Sequence, residues 1–226
     1  MNDVTVLYYS ASTEDPKFEA NIRKNLLANM GDLPLISVTQ EPVSDFGQNI
    51  CVGKQVNCYG NEYRQIQLGL REVKTKYVIT AEADFLYPPE YFQFQPGDAD
   101  YYRFNNVWVY YVRRERSWNA WAQKTAYFKR NSDGAQIIKK DFWLDAIKKD
   151  IGEEEKWYTE ENKASFIKHT HMGTDQNNTW TSENPVITFK TYDGVRRKTH
   201  IECKVIMEDT FPYWGDMGEL KNKMFS

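Results

Sequence analysis

The stretch YVITAEADFLYPPEYF, Tyr77 to Phe92, decides how the chain is read. A run fit for a buried strand, Tyr77 to Ala81, ends in two carboxylates, Glu82 and Asp84, with one small residue between them and an aromatic, proline-rich turn behind. Two acids one residue apart point to opposite faces of a continuing strand. Where the strand stops and the chain turns, both can approach one cation.

Working outward, VTVLYY (Val4 to Tyr9) reads as a buried first strand and SASTEDP as a polar loop leading into a helix. Asp15 followed by Pro16 is a cap and first-turn signal. Phe18, Ile22, Leu26 and Met30 then recur every fourth residue until Gly31 ends the helix, and LPLISVTQ supplies a second strand. Residues 41–60 read as a loop. A helix follows with Tyr63, Ile66, Leu70 and Val73 on its apolar face, and it delivers the chain to the YVITA strand. Strand, helix and strand in this order predict an α/β fold with a mainly parallel central sheet flanked by helices. Glu82 and Asp84 then stand at the carboxyl end of a central strand, where open α/β sheets place their ligands.

The second half is less regular. YYRFNNVWVYYVRR reads as one or two strands, KKDFWLDAIKKD as a short helix, EEEKWYTEENKASFIKH as a charged helix and PVITFKTYDGVRRKTHIECKVI as a hairpin or a strand-loop pair. No internal repeat, low-complexity segment or clear linker divides the 226 residues, so one domain, 1–226, is expected.

Composition narrows the function. Charged residues at 27% and hydrophobic ones at 41% are ordinary for a soluble globular protein, whereas aromatics at 15% are high. A net charge of −3 gives no global field for holding a polyanion, so any nucleic-acid contact would rest on a local patch. Nothing resembles a signal peptide or a membrane span, so a soluble, intracellular protein is expected. Cys51, Cys58 and Cys203 form an odd set without metal-ligand spacing, in keeping with reduced thiols. Cys51 and Cys58 with His169 and His171 do not have the spacing of a zinc site. Phosphate-binding G-x-x-x-x-G-K-[ST] and hydrolase G-x-S-x-G motifs are absent.

The order NCYGNEYRQIQLGLREVKTKYVITAEAD resembles the family-2 type of GT-A glycosyltransferases, members of the nucleotide-diphospho-sugar transferase superfamily. There an Asn, a small residue and an Arg on the helix precede a strand ending in Asp-x-Asp. Asn57, Gly60, Arg64 and then Glu82 and Asp84 take those places, with Glu in the first acid position and Gln65 where an Asn ordinarily follows the Arg. The resemblance covers about residues 4–92. It implies that residues 1–100 bind a nucleotide sugar and that 101–226 shape the acceptor side. It further implies that Asp84 is a ligand for Mn²⁺ or Mg²⁺ against the donor diphosphate, with Glu82 on the donor or on the metal through water.

The loop Ser10, Ala11 and Ser12 falls where the family holds base and ribose, with Tyr9 placed to stack, and Lys54 is a further candidate donor contact. The family often adds a histidine or basic loop near its C-terminal end. His200, a candidate metal ligand, with Arg196 and Arg197 fills that part in YDGVRRKTH. The family's general base lies roughly ninety positions after the acid pair, near Asp175, with Glu183 and Asp145 as competitors.

The expected activity is metal-dependent, inverting transfer of a sugar from a nucleotide-diphosphate donor, UDP-linked by preference, to a hydroxyl acceptor. The acceptor classes are a glycan, a glycoprotein such as a capsid protein, or a modified DNA base, in a bacterial or virus-infected cytoplasm. A nucleotide-sugar or carbohydrate-binding protein without turnover is one alternative. A nucleotidyltransferase is another, though YYSASTEDP lacks the glycine-rich loop of that class.

Overall fold

The computed structural model describes residues 3–112, 124–153, 156–166, 178–191 and 206–226. In chain order the elements are β1 Val4–Ser10, α1 Pro16–Asn29, β2 Leu35–Thr39, β3 Gln48–Cys51, α2 Tyr59–Glu72, β4 Tyr77–Glu82, β5 Phe85–Leu86 and α3 Pro89–Phe92. They continue with β6 Tyr101–Phe104, β7 Val107–Tyr111, β8 Ala126–Arg130, β9 Gln136–Lys139, α4 Lys140–Ile151, β10 Thr179–Trp180 and β11 Val186–Lys190. Then come β12 Met207–Glu208, β13 Thr210–Phe211, β14 Gly215–Asp216 and α5 Met217–Phe225.

The fold is α/β. A sheet in the order β10-β6-β9-β4-β1-β2-β3 carries the first half. Its β4-β1-β2-β3 portion is parallel throughout, while β9 runs antiparallel between β4 and β6. A second sheet in the order β12-β8-β7-β11-β5 is antiparallel except for β7 with β11. From β5 onward the strands of the two sheets are interleaved along the chain.

Alternation along β1 sorts its side chains. Leu7 and Tyr9 join Ile66 and Leu70 of α2 and Trp143 and Ile147 of α4 on one face, whereas Val4, Val6 and Tyr8 pack on the other with Leu26 of α1. Helix α1 has a divided apolar stripe. Phe18 and Ile22 meet the second sheet and α5, and Leu26 and Met30 meet the first sheet, so one helix fastens the two together. It starts as expected, with Asp15 accepting from the Lys17 and Phe18 amides at 3.0 and 3.1 Å.

Two expectations need correction. Residues 41–60 contain an edge strand, β3, whose Gln48 and Asn49 give no apolar signal. YYRFNNVWVYYVRR, read as one or two strands, holds two in its described part, in different sheets and parted at Asn105 and Asn106. The expected charged helix at 153–169 is absent from its described part. Residues 156–159 are irregular, and Lys163–Ser165 form a single 3₁₀ turn. Tyr158 explains this. Its amide donates to Asn61 Oδ1 at 2.7 Å and its carbonyl accepts from Asn61 Nδ2 at 2.9 Å, so this backbone is bonded to the start of α2 instead of to itself. Among the described residues no helix is long and apolar enough to cross a membrane.

Candidate active site

The parallel register aligns Tyr9 with Glu82 and Ser10 with Thr39, so β1, β2 and β4 end on one edge. A pocket of about 370 Å³ opens there. The sheet order gives it two ends. Ser10, Ala11, Gln40 and Asn57 lie toward β2, and Glu82, Asp84, Lys129 and Lys190 lie toward the second sheet.

At the charged end the Tyr9 hydroxyl donates to Glu82 Oε1 at 2.7 Å, and the Tyr87 hydroxyl accepts from the Glu82 amide at 3.0 Å. Gly134 lies against this carboxyl so closely that a β-carbon on it would stand 2.7 Å from Glu82 Cδ. Burial first, and the charge of Asp84 second, push the Glu82 carboxyl up to about 7, while the Tyr9 bond, Lys190 and Lys129 pull it back. Asp84 Oδ2 pairs with Lys190 Nζ at 3.1 Å, with side chains only 18% and 9% exposed. Antiparallel pairing of β5 with β11 makes this contact. The Phe189 amide donates to the Asp84 carbonyl at 2.7 Å, which sets the next residue beside the acid.

The other sequence-derived candidates divide. Tyr9, Ser10, Ala11, Asn57, Glu82 and Asp84 line the pocket. The Tyr9 hydroxyl is committed to Glu82. Ser12 is not in the lining. Its backbone is left-handed at φ 52°, and its hydroxyl accepts from the Gln40 amide at 3.3 Å, fixing the β1 and β2 loops to each other. Lys54 is exposed and outside the lining.

Arg64, the family's helix arginine by position, also stands outside the lining. Buried to 1% exposure, it donates to Gln67 Oε1 and, at 3.0 Å, to the Ile151 carbonyl, while Gln67 Nε2 donates to the Gly152 carbonyl at 3.0 Å. Together they satisfy the C-terminal carbonyls of α4. Gly60 has a packing role as well, since a β-carbon there would meet the Tyr158 ring at 2.4 Å. Asp175, Arg196, Arg197 and His200 lie outside the described residues.

Sequence reasoning missed Lys190 and Gly134, and noted Gln65 only as a departure from the family pattern. Gln65 is buried and donates to the Ser10 carbonyl at 2.7 Å and the Val38 carbonyl at 3.2 Å, holding the ends of β1 and β2 at their spacing. A buried-face glutamine next to Arg64 was the available signal. Lys190 and Gly134 carry no local signal because their partners are distant in sequence.

No protein-family model matches the chain, and no curated protein matches it. Solved structures do share a similar arrangement. HddC from Yersinia pseudotuberculosis is 14% identical over 83% of this chain and 93% of its own, with a TM-score of 0.46. TarS from S. aureus is 11% identical over 84% of this chain and 61% of its own at 0.42, and the glycosyltransferase GlyE from Streptococcus pneumoniae is 9% identical over 79% and 45% at 0.39. The chemistry of this chain therefore rests on its own site.

Proposed function

We propose that the chain transfers a sugar from a nucleotide-diphosphate donor, UDP-linked by preference, to a hydroxyl acceptor. The observation that carries this reading is the pocket of about 370 Å³ at the carboxyl edge of β1, β2 and β4, with Ser10, Ala11, Gln40 and Asn57 at one end and an acid pair with two lysines at the other. Open α/β sheets bind nucleotides at this edge. The residues that hold the loops, Gln65 and Ser12, are buried or bonded to backbone and so present a formed surface.

The acid pair suits a hard divalent cation. Two neighbouring carboxylates raise each other's cost of ionisation, and the Asp84 charge does so for Glu82. A cation between them relieves that repulsion, and one or two carboxylates suffice when phosphate oxygens complete the shell. Asp84, with Glu82, would be the donor set at this edge, although among the described residues no group of three or more His, Cys, Asp or Glu comes together; His200, the third candidate ligand, lies outside the described residues. Bound there, Mn²⁺ or Mg²⁺ supplies charge neutralisation for the departing diphosphate.

In the transfer the acceptor oxygen forms a bond to the anomeric carbon as the bond from that carbon to the diphosphate oxygen breaks. The acceptor proton passes to a base, for which Asp175 is the candidate, and one displacement inverts the anomeric centre. A panel of nucleotide sugars and hydroxyl acceptors, read by mass spectrometry and by NMR of the anomeric proton, tests this. An α-linked donor should give a β-linked product. Only hydrolysis-free binding across the panel would favour the non-catalytic alternative.

A further inference from the structure

The metal-ligand assignment leaves Lys190 without a role. Its ammonium pairs with the very acid assigned to the cation, at 3.1 Å and with little exposure, through a strand pairing that joins residues 106 apart. Such a pair sacrifices hydration of both charges, and a stabilising role alone is a weak reason to keep it. The pocket wall offers a stronger one. Glu14, Glu62, Glu82, Asp84 and Asp133 make it acidic, and among its described residues Lys129 and Lys190 are the cations. Lys129 Nζ donates to Ser132 Oγ at 2.6 Å, whereas Lys190 is held by a carboxylate that a divalent cation would take over. A diphosphate entering this pocket has to find positive charge near Asp84.

We propose that Lys190 is a ligand for the donor's diphosphate, parked on Asp84 in the empty pocket and transferred to a phosphate oxygen when the donor arrives. The handover rests on the donor-binding reading above. A cation on Asp84 would repel the ammonium, and the four-carbon stem of lysine lets Nζ move between oxygen partners without moving β11. Asp84 and Lys190 thus exchange partners together: acid to metal, ammonium to phosphate. No bond is made or broken beyond these ion pairs.

The two charges give the test opposite signs. Lys190→Met keeps the length of the side chain and Lys190→Arg keeps its charge. Binding of inorganic pyrophosphate, UDP and uridine is measured by calorimetry at saturating Mg²⁺, and binding of Mn²⁺ alone by electron paramagnetic resonance. Lys190→Met should weaken pyrophosphate and UDP by about tenfold or more, leave uridine unchanged and tighten Mn²⁺, because a competing cation is gone. Lys190→Arg should retain most pyrophosphate affinity. Pyrophosphate binding that is absent from the wild type, or unchanged in Lys190→Met, overturns the assignment. Weakening of pyrophosphate, UDP, uridine and Mn²⁺ alike marks a structural role and overturns it too. If pyrophosphate binds through Lys190 but UDP binds no better than pyrophosphate, the phosphate site stands and the nucleotide-sugar reading falls.

Discussion

Gly134 and Glu82 are in such close approach that a single added methyl group would stand 2.7 Å from Glu82 Cδ and 2.8 Å from its Oε1. The absence of a side chain in the turn between β8 and β9 is therefore what lets the acid at the end of β4 lie back on Tyr9. The Gly134 carbonyl also accepts from the Tyr87 hydroxyl at 2.6 Å, so the backbone has little room to retreat.

Gly134→Ala should displace the Glu82 carboxyl and strain this turn. The expected result is a stability loss of about 1 to 3 kcal/mol in denaturant unfolding, as for other overpacked sites, with transfer activity reduced further than stability accounts for. Wild-type activity in the folded variant would show that the Glu82 position does not matter to the reaction.

Arg64 separates the family pattern from the geometry of this chain. If its guanidinium serves the end of α4, Arg64→Met should unfold at lower denaturant, with a loss of about 2 kcal/mol or more from the carbonyls left without donors, and should bind UDP as the wild type does. A selective loss of UDP affinity at unchanged stability would return Arg64 to the donor site.

Much of the first half was legible because its signals are local. Asp15-Pro16 marks the start of α1, fourfold spacing from Phe18 to Met30 marks its buried face, and continuous apolar runs mark β1, β2 and β4. Parallel strands covered on both faces leave that signature. The place of Glu82 and Asp84 at a strand end followed from the same run.

What escaped depends on partners far along the chain. Lys190 is an ordinary lysine at the end of a strand until β11 pairs with β5. Tyr158 looks helical by composition until Asn61 takes its backbone bonds. Arg64 fits a family position by spacing alone, yet its side chain turns to Ile151, and spacing along a helix does not say which neighbour a long side chain will reach.

Buried tyrosines predict how the fold fails at high pH. Burial raises the phenols of Tyr8, Tyr9 and Tyr87 well above their ordinary range and that of Tyr110 to about 12. In the unfolded chain the same phenols ionise near 10. The folded state then holds protons that the unfolded state has released, so stability is fully present below about 10 and falls as pH rises, by up to about 1.4 kcal/mol per pH unit for each such tyrosine. Urea midpoints measured from pH 8 to 11.5 should be flat and then drop steeply, and a midpoint that stays level to 11.5 would contradict the burial of these hydroxyls.

The most direct test of the central claim, a cation-assisted nucleotide-diphosphate site built on Asp84, is calorimetric titration of UDP into the wild type and Asp84→Asn, each with and without Mn²⁺. The account predicts that Mn²⁺ tightens UDP binding in the wild type by about tenfold or more and that this enhancement disappears in Asp84→Asn, which far-UV circular dichroism should show to be folded although its unfolding midpoint falls because Lys190 loses its carboxylate partner. An undiminished Mn²⁺ enhancement in Asp84→Asn, or a wild type that does not bind UDP under either condition, would contradict it.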